Sequence, residues 1–160
     1  MQRCSRPAGS RSNAMPAVYP LSLVPISFRG DYPHMSKHDR ALWTRYLDAN
    51  AESYLGFYYD VAIGGADITG LPLPEPDALG ARYNTALKID AAGVTEELVW
   101  IIEVRPEATV SALGAALAYS LVAERDQVFD RPTRAAILCE FMQPDVAWCC
   151  AQLGVSILKA

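Results

Sequence analysis

The run Leu98-Val99-Trp100-Ile101-Ile102-Glu103-Val104, closed by Arg105-Pro106, is apolar at consecutive positions rather than alternate ones. Successive side chains of a strand point to opposite faces, so Val99 and Ile101 lie on one side and Trp100, Ile102 and Val104 on the other. A strand apolar on both faces belongs at the centre of a sheet covered above and below, and helices are the covering elements. The chain has 160 residues, 51% of them apolar, which suits one domain with a substantial core.

The remaining elements arrange themselves around that strand. Ser36 followed by Asp39 forms a capping-box pattern ahead of Leu42, Trp43, Tyr46 and Leu47, which predicts a first helix. Aromatic and β-branched residues over 54–63, stopped by Gly64-Gly65, predict a strand. A loop is expected through Pro72, Pro74 and Pro76 to Gly80, then strands over 83–91 and 98–104 joined by a short turn. Val110, Leu113, Leu117, Leu121 and Val122 recur at helical spacing, with Gly114, Ala115, Ala116 and Ala118 allowing close approach to the sheet. A strand over 134–141, a helix over 145–153 after Pro144 and a last strand over 155–159 beyond Gly154 complete the order α-β-β-β-α-β-α-β. The expected fold class is α/β, a single mixed sheet flanked by helices.

Residues 1–35 carry Pro7, Pro16, Pro20, Pro25 and Pro33 without apolar periodicity, so a flexible N-terminal arm is expected ahead of a domain spanning 36–160. Its segment 19–28 is apolar enough to dock on this domain or on a protein partner, and Met15 is an alternative start. The formal charge of −4 speaks against a broad nucleic-acid surface but leaves room for a small basic groove beside an acidic site. Cysteines 4, 139, 149 and 150 follow no zinc or Cys-x-x-Cys spacing and read as reduced thiols, Cys149 and Cys150 as packing residues. No apolar run approaches the roughly 20 residues that span a bilayer, and no signal peptide is evident, so a cytoplasmic protein without membrane contact is expected.

The chemistry-bearing residues cluster at one hairpin. Glu103 and Arg105 alternate onto one face, as do Lys88 and Asp90 on the preceding strand. A turn centred on Glu96-Glu97 sets Asp90 opposite Glu103 and Lys88 opposite Arg105, whereas a one-residue slip would send Asp90 to the other face. Two carboxylates so placed, with the Val104 carbonyl as a third ligand, are suited to Mg²⁺ or Mn²⁺, and a neighbouring cation to a phosphate.

Asp90 followed by Glu103-Val104-Arg105 on a hairpin, then a helix, resembles the PD-(D/E)XK nuclease superfamily, including small phage-encoded members with a Lys-x-Asp and Glu-Val-x-Pro layout. The resemblance covers residues 36–159 and implies a restriction-endonuclease-like core with DNA as the substrate or partner. It implies Asp90 and Glu103 as metal ligands and Arg105 at the position of the catalytic lysine. Two departures stand out. Arg105 replaces that lysine, and Ala115 stands four residues before Tyr119 where many members carry glutamine. Arginine binds phosphate as a rigid fork but does not exchange a proton, so Lys88 becomes the candidate substitute. The expectation is a metal-dependent deoxyribonuclease. The alternative is a catalytically silent member serving as a structural or DNA-contacting part of a larger assembly, such as a phage particle, in an infected cell or in the virion.

Other residues carry blander readings. Asp60 fits the exposed face of an edge strand better than a ligand role. His34 and His38 straddle the start of the first helix and so make a poor metal pair. Tyr119 reads as a packing residue that the family motif would set beside the site. Glu140 either ends its strand near the same edge or meets solvent.

Overall fold

The computed structural model describes residues 15–68 and 70–160. Residues 1–14 of the expected arm, with Cys4, lie outside the described residues. Helix α1 (Lys37–Asn50) begins at the Ser36–Asp39 capping box and is followed by a 3-10 turn, Ala51–Ser53. Strand β1 (Gly56–Ile63), helix α2 (Glu75–Thr85), and strands β2 (Leu87–Val94), β3 (Val99–Val104) and β4 (Glu107–Ala108) come next. Helix α3 (Val110–Arg125), strands β5 (Thr133–Leu138) and β6 (Phe141–Met142), helix α4 (Pro144–Leu153) and strand β7 (Ser156–Leu158) complete the chain.

The main sheet is open and mixed, in the order β1-β2-β3-β5-β7. Strands β1, β2 and β3 form an antiparallel meander, while β5 runs parallel to β3, and β7 parallel to β5. As the double-faced apolar run requires, β3 is central and nearly all of it is buried. Leu42, Trp43, Tyr46 and Leu47 of α1 pack with Ile102, Val104, Ala136 and Leu138 on one face. On the other, α3 and α4 cover Ala135 and Ile137 through Ala112, Leu113, Ala116, Val146 and Cys150, and Ala123 of α3 packs with Val99 and Ile101. Cys139, Cys149 and Cys150 are free thiols, with Cys139 and Cys150 buried. Among the described residues no helix is long and apolar enough to cross a membrane.

Two expectations are revised. Where a loop to Gly80 and a strand from Tyr83 were expected, α2 forms and β2 begins only at Leu87. Pro76 sits in the first turn of α2, where a missing N–H costs nothing, and Glu75 and Asp77 favour that helix end. No residue of α2 is buried, so the helix left no apolar stripe to read.

The strand expected over 134–141 ends at Leu138, because the Glu140 and Phe141 amides turn away to the Pro106 carbonyl. Phe141 and Met142 then pair with Glu107 and Ala108 in a separate two-stranded parallel sheet.

The described part of the arm, 15–35, is docked on its own domain. Val18 donates to the Ala62 carbonyl at 2.8 Å, and Val24 and Phe57 exchange backbone bonds of 2.8 and 3.0 Å along the outer edge of β1. Val18, Tyr32 and Met35 are buried, so the structural unit reaches back well before Ser36. Covering an edge strand in this way removes a template for pairing with other chains.

Candidate functional site

The site lies where β2 and β3 part. The turn between them is closed by Thr95, whose amide and hydroxyl both donate to the Leu98 carbonyl at 2.9 Å, with Glu96 and Glu97 at its tip. That turn fixes the register Val94↔Val99 through Ala91↔Ile102, the last pair of the ladder. Continued by one residue, the same register sets Asp90 beside Glu103, as the alternation predicts.

Here a side chain takes over from the ladder. Asp90 Oδ2 accepts the Val104 N–H at 3.0 Å and Arg105 Nη1 at 3.1 Å. Arg105 Nη1 also donates to the Val104 carbonyl at 2.6 Å, and its Nη2 lies 2.8 Å from Glu103 Oε1. One guanidinium therefore joins Asp90, Glu103 and the Val104 carbonyl, the three groups expected to ligate a metal.

Asp39 is a further member of the site, and sequence reasoning gave it only a capping role. Its Oδ2 accepts the Ser36 N–H at 2.9 Å and stands 4.0 Å from Arg105 Nη1. A signal for it was present: Asp39 precedes Leu42 and Trp43 by three and four residues, so it shares the stripe that faces the sheet. Its burial follows from that placement.

Burial and crowding of like charge set the electrostatics. Glu103 is 2% exposed and Asp90 6%. Glu103 is pushed up to about 7, first by loss of water and then by the Asp90 carboxylate, with Arg105 opposing and Asp39 adding to the rise. Asp90 is raised by burial against the lowering effect of the Val104 amide and Arg105. Glu103 Oε2 is buried without a hydrogen-bond partner. Tyr119, half-buried on α3, has its hydroxyl raised by burial and then by the charges of Glu103 and Asp90.

Lys88 goes elsewhere. Its amine donates to the Tyr83 and Ala86 carbonyls and lies 3.9 Å from the centre of the Tyr83 ring. The reason is a break in the pleat. The β1–β2 ladder passes from Tyr59↔Ala91 to Val61↔Ile89 with no pair at Asp60 and Asp90, and Asp60 has a left-handed φ of 49°. Ala91 consequently packs in the core beneath α1 but Ile89 in the core beneath α3, so Lys88 and Asp90 do not share a face.

Asp60 is half-buried rather than exposed, within a small polar group. Its Oδ2 accepts the Tyr83 hydroxyl at 3.3 Å, and His34 Nε2 lies 3.1 Å from its Oδ1. His34 thus turns to Asp60 while His38 is exposed on α1. Glu140 forms an exposed ion pair with Arg45.

The donor set fits a cation in kind, since two carboxylates and a carbonyl already surround one positive group and the buried Glu103 Oε2 has no hydrogen-bond partner. Among the described residues no three His, Cys, Asp or Glu side chains are grouped to hold a metal ion. Comparison with family models, curated proteins and solved structures gives no match, so the functional reading stands on this geometry and on the sequence.

Proposed function

We propose that the chain is a nuclease-like protein of the PD-(D/E)XK type that hydrolyses phosphodiester bonds in DNA, with Asp90, Glu103 and the Val104 carbonyl holding Mg²⁺ or Mn²⁺. The observation that carries this reading is the convergence of those three donors on a single cationic group. The element order supports it too: a helix, an antiparallel three-strand meander, a helix and a parallel strand, with the acidic pair where the meander splays.

The ion would supply Lewis acidity at the phosphate. Asp90 and Glu103 would bind it, and the Val104 N–H fixes the Asp90 carboxylate. Arg105 would hold a non-bridging phosphate oxygen with its planar fork, and Tyr119 would offer a hydroxyl from α3. Lys88, engaged with Tyr83, has no part in this arrangement.

Incubating the full chain with linear, circular and single-stranded DNA and Mn²⁺ is expected to give cleavage that is lost in Asp90→Ala and Glu103→Ala. Cleavage unchanged in both variants would overturn the assignment. A second reading is favoured by Arg105 itself, which occupies the metal's donors: a silent nuclease-like component that contacts DNA or a protein assembly. No cleavage under any metal, substrate or pH condition would select that reading.

A further inference from the structure

Arg105 and a divalent cation need the same lone pairs. The guanidinium takes Glu103 Oε1 at 2.8 Å, Asp90 Oδ2 at 3.1 Å and the Val104 carbonyl at 2.6 Å, so the two occupants exclude each other. The arginine is a poor match for what surrounds it, because one positive charge faces Asp39, Asp90 and Glu103 and leaves Glu103 Oε2 without a partner. Exposure is also layered. The Arg105 side chain is 41% exposed, while the carboxylates beneath it are almost dry. The arginine side chain is therefore the part of the site that reaches solvent, and it can turn outward without disturbing the core.

Turning outward alone is strongly unfavourable, since it abandons buried carboxylates without a counter-charge. A cation entering the site removes that cost, and the freed guanidinium is a planar fork matched to a phosphate. An anion at the mouth does the converse, stabilising the outward arginine and clearing the donors.

We propose that Arg105 is an exchangeable latch: it yields Asp90, Glu103 and the Val104 carbonyl to a divalent cation and moves onto a phosphodiester anion, so that each ligand promotes binding of the other. The proposal rests on the reading that these donors accept a metal. Because linkage is reciprocal, the coupling is measurable from either side.

The test is Mn²⁺ binding to the full chain, followed by electron paramagnetic resonance and calorimetry, with and without dimethyl phosphate as the smallest phosphodiester anion. In the wild type the anion is expected to tighten Mn²⁺ binding at least about fivefold. In Arg105→Gln, Mn²⁺ is expected to bind more tightly than in the wild type and without dependence on the anion. Arg105→Lys retains the charge without the fork and serves if Arg105→Gln fails to fold; its anion dependence is expected to be weakened.

A wild-type affinity that the anion leaves unchanged, with Mn²⁺ bound in both proteins, would overturn the latch alone and leave the proposed function standing. Anion dependence persisting undiminished in the variants would also overturn it, since the phosphate would then bind the ion directly. No Mn²⁺ binding in the wild type or either variant would overturn both the latch and the reading beneath it.

Discussion

Glu103 concentrates the conflict between burial and charge in one residue. Its carboxyl is pushed up to about 7 in the folded protein, from the ordinary glutamate value of 4.5, because water is excluded and Asp90 stands beside it. The folded state therefore holds a proton that the unfolded chain releases. The associated stability is present below the unfolded value and is lost as pH rises through about 7. Asp90, raised for the same first cause, pulls in the same direction. Urea unfolding of the wild type is expected to weaken by about 2–3 kcal/mol between pH 5 and 8. Glu103→Gln should flatten most of that slope, and a slope of equal size in the variant would remove Glu103 as its source. The acidic pair and its arginine were legible residue by residue, since strand alternation and a two-residue turn determine which side chains meet. Lys88 was not, because the left-handed Asp60 interrupts alternation on the neighbouring strand, and no propensity rule places a left-handed residue in mid-strand.

The first turn of α1 ties an element to the site. Ser36 and Asp39 cap one another, with the Asp39 amide bound by the Ser36 hydroxyl at 3.2 Å, and the same Asp39 carboxylate faces Arg105. Ser36→Ala is expected to cost about 1 kcal/mol of stability in equilibrium unfolding, through the lost cap. An unchanged midpoint would show that water replaces the hydroxyl without loss. Elements with a buried face were readable in the sequence: α1, α3, α4 and the central strands all show the periodicity that burial imposes. Helix α2 was not, as it buries nothing and opens with prolines that resemble a loop. The small β4–β6 sheet was equally hidden, two residues per strand being too short to carry a pattern.

At the scale of the whole molecule residues 15–35 and the sheet are packed as one unit. Removing the residues before Ser36 takes away the buried side chains of Val18, Tyr32 and Met35 and uncovers the β1 edge. That truncation is expected to lower unfolding free energy by at least about 3 kcal/mol and to promote self-association. Denaturant titration and light scattering check both effects, and a truncated chain as stable and monodisperse as the full one would refute them. The apolar character of 19–28 marked the segment as able to dock but not where, because a segment that adds only an isolated bridge to an edge needs no strand periodicity. The way the arm is fastened also has a mechanical side. Its described contacts with β1 come in series, Val18 to Ala62 and then Val24 to Phe57, so a pull from the N-terminal side would load them one after another like a zip. The β3–β5 and β5–β7 ladders, bonded side by side over several residues, would share such a load, leaving the arm as the compliant end of an otherwise stiff sheet.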